Sequence, residues 1–145
     1  MKKLLVYALE FSNVQFPKIA GVETITIAVD FTSLSAVPAV IEIIKNYKLD
    51  IGVLVNNVGL LGPHFMPFLE LNEKMVQDII VVNVLAGTML CHSLLPDMLK
   101  KEKGAIINIG SICSYYPLPY LATYAATKHF TAAFSQAIAA EYSDR

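Results

Sequence analysis

Two spacings of apolar residues take turns along the chain. ETITIAVD, residues 23–30, is rich in β-branched residues and ends in an acid, which predicts a strand running into a loop. The next stretch, FTSLSAVPAVIEIIKNYK, places apolar residues at 40, 41, 43, 44 and 47 behind candidate caps Thr32, Ser33 and Ser35, with Pro38 near the first turn. That is the pattern of an amphipathic helix. IGVLVNNVG, residues 51–59, is a short apolar run closed by two asparagines and a glycine, as in a strand buried on both faces. A long helical stretch from Asn72 reaches a basic last turn and stops at Gly104, with a kink expected at Pro96. GAIINIGS, residues 104–111, predicts another buried strand, and an Ala-, Phe- and Ile-rich helix runs from Ala122 to Tyr142.

Strand and helix thus alternate three times. The order predicts an α/β fold, a doubly wound parallel sheet covered by helices on both faces, with ligands at the carboxyl ends of the strands. Asp30, Asn56, Asn57, Gly59, Gly110 and Ser111 all fall at such ends.

Composition agrees with buried strands. The 145 residues suit one domain and are 55% hydrophobic and 16% charged, below the roughly 25% charged residues of an average soluble domain. The net charge is -1, and the basic residues cluster only at Lys100, Lys101 and Lys103, which is no footprint for nucleic acid. Cys91 and Cys113 are too few for a disulfide framework, and His64, His92 and His129 share no metal-ligand spacing with them or with one another. No metal is expected. The opening MKKLLVYALEF has an apolar run too short for a signal-peptide core, and no uninterrupted apolar run reaches membrane-spanning length.

The candidate chemistry lies in GSICSYYPLPYLATYAATKHF, residues 110–130. Tyr124 and Lys128 stand four residues apart, on one face of the predicted helix. A free tyrosine titrates near pH ~10, and a neighbouring ammonium favours its ionised form. Ser111, thirteen residues before Tyr124 and just past a strand end, can donate a hydrogen bond to the same substrate oxygen. A Tyr and a Lys at this spacing occur in many helices by chance, and Ser111 alone reads as a cap. All three within one strand-to-helix connection suit protonation of a carbonyl or alcohol oxygen. The accompanying hydride is beyond any side chain and implies a nicotinamide cofactor. Phe65, Phe68, Tyr115, Tyr116 and Tyr120 lie in loops after strands and are candidates for a substrate wall, with packing as the plainer alternative. Cys113 either lines the same cleft or is inert.

NNVG at 56–59, Asn83 within VVNVLAG, NIGS at 108–111 and YAATK at 124–128 resemble the short-chain dehydrogenase/reductase family in both order and separation. LDIGVLVNNVG, KGAIINIGS, LPYLATYAATKHF and FSQAIAAEY are similar to its branch of 17-beta-hydroxysteroid dehydrogenases and very-long-chain 3-oxoacyl-CoA reductases. The resemblance runs from about residue 23 to the end. It implies Tyr124 as proton donor or acceptor, Lys128 as the cation that lowers its pKa and holds the nicotinamide ribose, and Ser111 as the partner of the substrate carbonyl. Asn83, helix-unfavourable and a kink marker, would hold a proton-relaying water. Asp30, with Phe31, would sit by the adenine, and Asn56, Asn57 and Gly59 would form the cofactor floor. It further implies NADPH (or NADH), a steroid or long-chain 3-oxoacyl ketone, the endoplasmic reticulum, and a homodimer through helices 72–103 and 122–142.

The family's glycine-rich phosphate loop has no counterpart. The glycines are Gly21, Gly52, Gly59, Gly62, Gly87, Gly104 and Gly110, and no three make a close turn before a helix. Only 22 residues precede the strand at 23–30, fewer than the ~30 of a full βαβ unit. Residues 1–22 therefore read as an atypical opening without the first two strands. Residues 23–145 read as the central part of one Rossmann-like domain, incomplete at both ends. Two functional readings follow: a nicotinamide-dependent oxidoreductase, or a catalytically inactive truncated form that at most dimerises. An unrelated α/β binding module would make the motif set an accident.

Overall fold

The structure, a computed structural model, describes residues 3–9 and 22–142. The remainder of the expected atypical opening, residues 1–2 and 10–21, and residues 143–145 lie outside the described residues. Among the described residues, four strands and four α-helices follow in chain order: β1 (Lys3–Leu9), β2 (Val22–Ala28), α1 (Ala36–Asn46), β3 (Val53–Asn56), α2 (Glu73–Ile80), α3 (Gly87–Lys100), β4 (Ala105–Asn108) and α4 (Ala122–Tyr142). A π-helical segment, Val81–Ala86, joins α2 to α3.

One strand corrects the sequence reading. β1 lies in the opening where no strand was expected, and it pairs in parallel with β2 from Lys3↔Val22 to Leu9↔Ala28. β3 pairs in parallel with β4, Val55 opposite Ile107. Among the described residues these are two separate two-stranded sheets rather than one continuous sheet. Ile25 and Ile27 of β2 and Leu54 of β3 nevertheless belong to one apolar core. That core is built on Ala36, Val37, Val40 and Ile44, the buried stripe of α1, together with Phe31, Val82, Ala86 and Leu94.

The helices around β3 and β4 lie on one face. The two strands are in register, so Leu54, Asn56, Ile106 and Asn108 share a side. Leu54 packs into the α1–α3 core, the Asn56 amide meets Cys91 of α3, and the Asn108 amide meets Ser135 of α4. The opposite side carries Val53 and Val55, 57% and 52% exposed, with Ile107 at 47%. The parallel pairing with helices packed on it is that of the expected incomplete doubly wound sheet, and among the described residues one face of this pair is covered. A doubly wound sheet needs elements on its second side that these residues do not supply.

The long helix also departs from expectation. Asn72 caps α2 by accepting from the backbone N–H of Met75 at 2.8 Å, and α3 continues through Pro96 as regular α-helix. The irregularity lies instead at Val81–Ala86, around Asn83. From Glu73 to Lys100 the run is long and apolar enough to cross a membrane. Here Ile79, Val82, Ala86, Cys91, Leu94 and Met98, three to five residues apart, form one buried face, while Ile80, Leu85 and Met89 are exposed.

Candidate functional site

β3 and β4 end side by side and deliver their last asparagines to one polar seam. Asn56 Nδ2 donates to Asn108 Oδ1 at 2.8 Å and to Cys91 Sγ at 3.3 Å, while Asn108 Nδ2 donates to Ser135 Oγ at 2.8 Å. The seam ties both strands to α3 and α4 and satisfies amides that burial would otherwise penalise. Burial on the inner face of α3 desolvates the Cys91 thiol and pushes its pKa up, opposed in part by the bond from Asn56.

Beyond the seam, three segments converge. Asn83 Oδ1 accepts from the N–H of Leu60 at 2.6 Å, and its Nδ2 donates to Leu60 O at 2.9 Å and to Thr127 Oγ1 at 3.0 Å. Gly59 sits so close that a Cβ placed on it would lie 3.6 Å from both Asn83 Oδ1 and Lys128 Nζ. Lys128 is only 6% exposed. Its ammonium donates to Ile109 O at 2.9 Å and lies 5.7 Å from the centre of the Tyr124 ring. Burial lowers the Lys128 pKa from its ordinary value, opposed in part by the nearby Cys113 thiol. Gly59, Asn83, Tyr124 and Lys128 thus stand together at the carboxyl ends of β3 and β4.

Ser111 follows β4 and caps the short 3-10 turn Ile112–Ser114. Its Oγ accepts from the N–H of Cys113 at 3.2 Å, and Ser114 Oγ accepts from the N–H of Ser111 at 3.1 Å. This reciprocal capping box uses Ser111 Oγ as acceptor and leaves its O–H to donate elsewhere. Tyr124 packs against Leu121, Ala125 and Cys113, the last of these on the turn that Ser111 caps. Cys113 is buried.

The other sequence candidates are scattered. Asp30 lies exposed past β2 and accepts from Thr32 Oγ1 at 2.7 Å and from its N–H at 2.9 Å. Those bonds hold its carboxyl below the ordinary value. Phe31 is 2% exposed and buried in the main core, so it offers a ligand its backbone and not its ring. Asn57 is exposed between the seam and Gly59. Tyr120 and Phe68 line a small hollow beside Tyr124, together with Leu61, His64 and Ile79. Tyr115 and Tyr116, 72% and 64% exposed, and Phe65 stand outside that hollow. Tyr120 also takes left-handed backbone, φ 67°, a strained state for a residue with a Cβ.

Leu60, Ile109 and Thr127 were not anticipated. Leu60 and Ile109 act through backbone groups, which no residue-type pattern marks. Thr127 did carry a signal, as a polar residue inside the Tyr124–Lys128 interval of a helix otherwise rich in alanine.

A family model described as short chain dehydrogenase matches residues 10–145. The chain is 40% identical over 125 residues to the very-long-chain 3-oxoacyl-CoA reductase of Laccaria bicolor, covering 83% of this chain and 36% of that protein. It is 39% identical over 124 residues to the human inactive hydroxysteroid dehydrogenase-like protein 1, covering 86% and 37%. Among solved structures, a short-chain dehydrogenase from Sphingobium yanoikuyae in complex with NADPH aligns with a TM-score of 0.77 at 31% identity, over 86% of this chain and 48% of that one. The chain belongs to the short-chain dehydrogenase family. It spans little more than a third of the length of either curated relative.

Proposed function

We propose that this chain carries the reacting end of a nicotinamide-dependent ketone reductase or alcohol dehydrogenase, acting on a long-chain 3-oxoacyl or steroid substrate. One observation supports the reading above all. A lysine is buried on α4 with its ammonium on a backbone carbonyl at a strand end, beside Tyr124 of the same helix and against Gly59 and Asn83. Burial of such a cation costs free energy that a purely structural position would avoid, so its retention beside a phenol suits a charge-handling role.

In this mechanism Tyr124 gives a proton to the substrate carbonyl oxygen, or takes one from the alcohol. Lys128 supports the negative charge that proton transfer leaves on the phenol oxygen. Ser111, whose oxygen already accepts from Cys113, donates its O–H to the same substrate oxygen. Asn83 holds the relay that reprotonates Tyr124. The hollow at Phe68, Ile79 and Tyr120 gives an apolar substrate its first contact. Tyr115 and Tyr116, exposed on the loop before α4, extend the wall when a substrate brings them in.

NADPH, with NADH as the alternative, supplies the hydride when bound. The residues fit its nicotinamide end: Lys128 for the ribose, Gly59 for close approach, Asn56 and Asn57 for the floor. Asp30, with the Phe31 backbone, serves the adenine end. The pyrophosphate is the misfit, since no glycine-rich turn follows β1 in the sequence; after Leu9 the first glycine is Gly21. On the same reading the protein works at the endoplasmic reticulum and pairs through α3 and α4, where Phe130, 40% exposed, stacks on Phe134.

The decisive experiment titrates the purified chain with NADPH and NADH and follows nicotinamide fluorescence, with Lys128→Ala as control. Saturable micromolar binding, lost in the control, supports the reading and directs assays to 3-oxoacyl and steroid ketones. A folded chain that binds neither favours the second reading, a catalytically inactive dimerising form. The two separated sheets among the described residues speak for that alternative.

A further inference from the structure

Thr127 lies between the two residues to which the chemistry is assigned, and its side chain bonds to Asn83 and to the Tyr124 carbonyl. It is 3% exposed. Its hydroxyl donates to Tyr124 O, one turn back, at 2.7 Å. A threonine hydroxyl has one proton and two lone pairs, so that donation fixes the rest of its bonding. Toward Asn83, Oγ1 can act only as acceptor, and it receives Asn83 Nδ2 at 3.0 Å.

The partner is equally constrained. Both N–H groups of the Asn83 amide are used, one on Leu60 O and one on Thr127, while Oδ1 is held by the Leu60 N–H. Three segments meet in this chain of bonds: the loop after β3, the π-helical segment and α4. Burial at Thr127 leaves no room for water to replace a lost hydroxyl, so the Asn83 amide would keep an unpaired N–H. π-helical segments are often found at functional sites and depend on local side-chain contacts for their placement.

We propose that Thr127 is a positioning residue: its oxygen, aimed at Asn83 by donation to the Tyr124 carbonyl, sets the register of the Tyr124–Lys128 helix against the π-helical segment. This rests on the function proposed above, because the register matters most if those residues serve one reaction. Lys128, the next residue, then meets Ile109 O, and Gly59 stays in contact with both Asn83 and Lys128. Loss of the bond lets α4 and the π-helical segment relax separately.

The test compares Thr127→Val with Thr127→Ser in the full chain. Valine keeps the β-branched shape and removes the oxygen; serine keeps the oxygen and removes a buried methyl. Two quantities are read: the Asn83 side-chain amide resonances, assigned by their loss in Asn83→Asp, and the NADPH dissociation constant. In T127V the Asn83 amide protons should move and exchange with solvent about tenfold faster, with NADPH binding weaker by about tenfold, the worth of one net hydrogen bond. T127S should restore both, although it is less stable than the unaltered chain. Unchanged Asn83 resonances in T127V, or a folded T127S that fails to restore them, overturn the proposal. If the unaltered chain binds no NADPH, the functional reading is what falls, and the Asn83 resonances still decide the register role.

Discussion

Asn83 holds Leu60 by both of its backbone groups, accepting from the N–H at 2.6 Å and donating to the carbonyl at 2.9 Å. A side chain thereby stands in for a neighbouring strand, pairing with the loop after β3 as a peptide unit would. Asn83→Ala removes that pairing and the bond to Thr127 together, leaving backbone groups unpaired in a half-buried place. The variant should lose about 2 to 3 kcal/mol of folding stability. Urea unfolding checks this, with a lower midpoint at an unchanged slope. A loss below about 0.5 kcal/mol would mean that water takes over the Leu60 groups.

Lys128 gives the chain a pH dependence whose sign is fixed. Burial depresses its folded pKa below the ordinary 10.5, so between the two values the unfolded chain holds more protons. Stability therefore rises with pH across that interval and is lower on its acid side. Lys128→Met keeps the stem and removes the titration. The stability of the unaltered chain relative to this variant should climb as pH is raised from neutral toward 10.5, and parallel curves would refute the assignment. Other groups that titrate alike in both proteins cancel in the difference.

Much of this was readable because pattern and chemistry agreed. α4 is described from Ala122 to Tyr142, the bounds the sequence predicts; β3 and β4 lie inside their predicted strands, and β2 starts one residue before its own. β1 was missed because the 22 residues of the opening were measured against a full βαβ unit, which they cannot hold, and its pairing with β2 is not local. Helical periodicity over 72–103 could not separate α from π geometry, since both keep apolar residues on one side. Asn83 marked the irregularity, whereas Pro96 drew attention and left α3 unbroken. The convergence of Gly59, Asn83 and Lys128 followed from motif order, but Thr127 lies about 100° around the helix from Lys128 and its partner is 44 residues away. Loop aromatics carry no such periodicity, which is why Tyr120 and Tyr115 could not be told apart.

The uncovered side of β3 and β4 has a consequence in solution. Val53, Val55, Ile107 and Ile109 form an exposed apolar strip on a two-stranded sheet, the arrangement that invites association. The pair Val55→Thr and Ile107→Thr keeps β-branched side chains suited to strands. It should reduce self-association in sedimentation velocity while changing unfolding free energy by less than about 0.5 kcal/mol. A large loss of stability would show that the strip is packed against something in the purified protein.

Gly104 sets how closely α3 passes into β4, and through β4 where Ile109 O meets Lys128. A Cβ on Gly104 would lie 2.6 Å from Met98 Cγ and 2.7 Å from Met98 Cβ, too near the root of that side chain for a rotamer change to relieve. Met98 is itself buried, and the turn is fixed by the Lys103 N–H donating to Met98 O at 3.1 Å and the Ala105 N–H to Gly52 O at 3.0 Å. Gly104→Ala should therefore cost about 1 to 3 kcal/mol by overpacking, and Met98→Ala about 2 to 5 kcal/mol by emptying the site. The two are coupled. Truncating Met98 removes the Cγ and Sδ contacts that the new methyl would meet but leaves Met98 Cβ at 2.7 Å, so the double variant recovers part of the overpacking cost and should be more stable than the sum of the single losses implies, by about 0.5 kcal/mol or more. Thermal or urea unfolding of the four proteins measures that coupling, and simple additivity would show that the turn yields elsewhere.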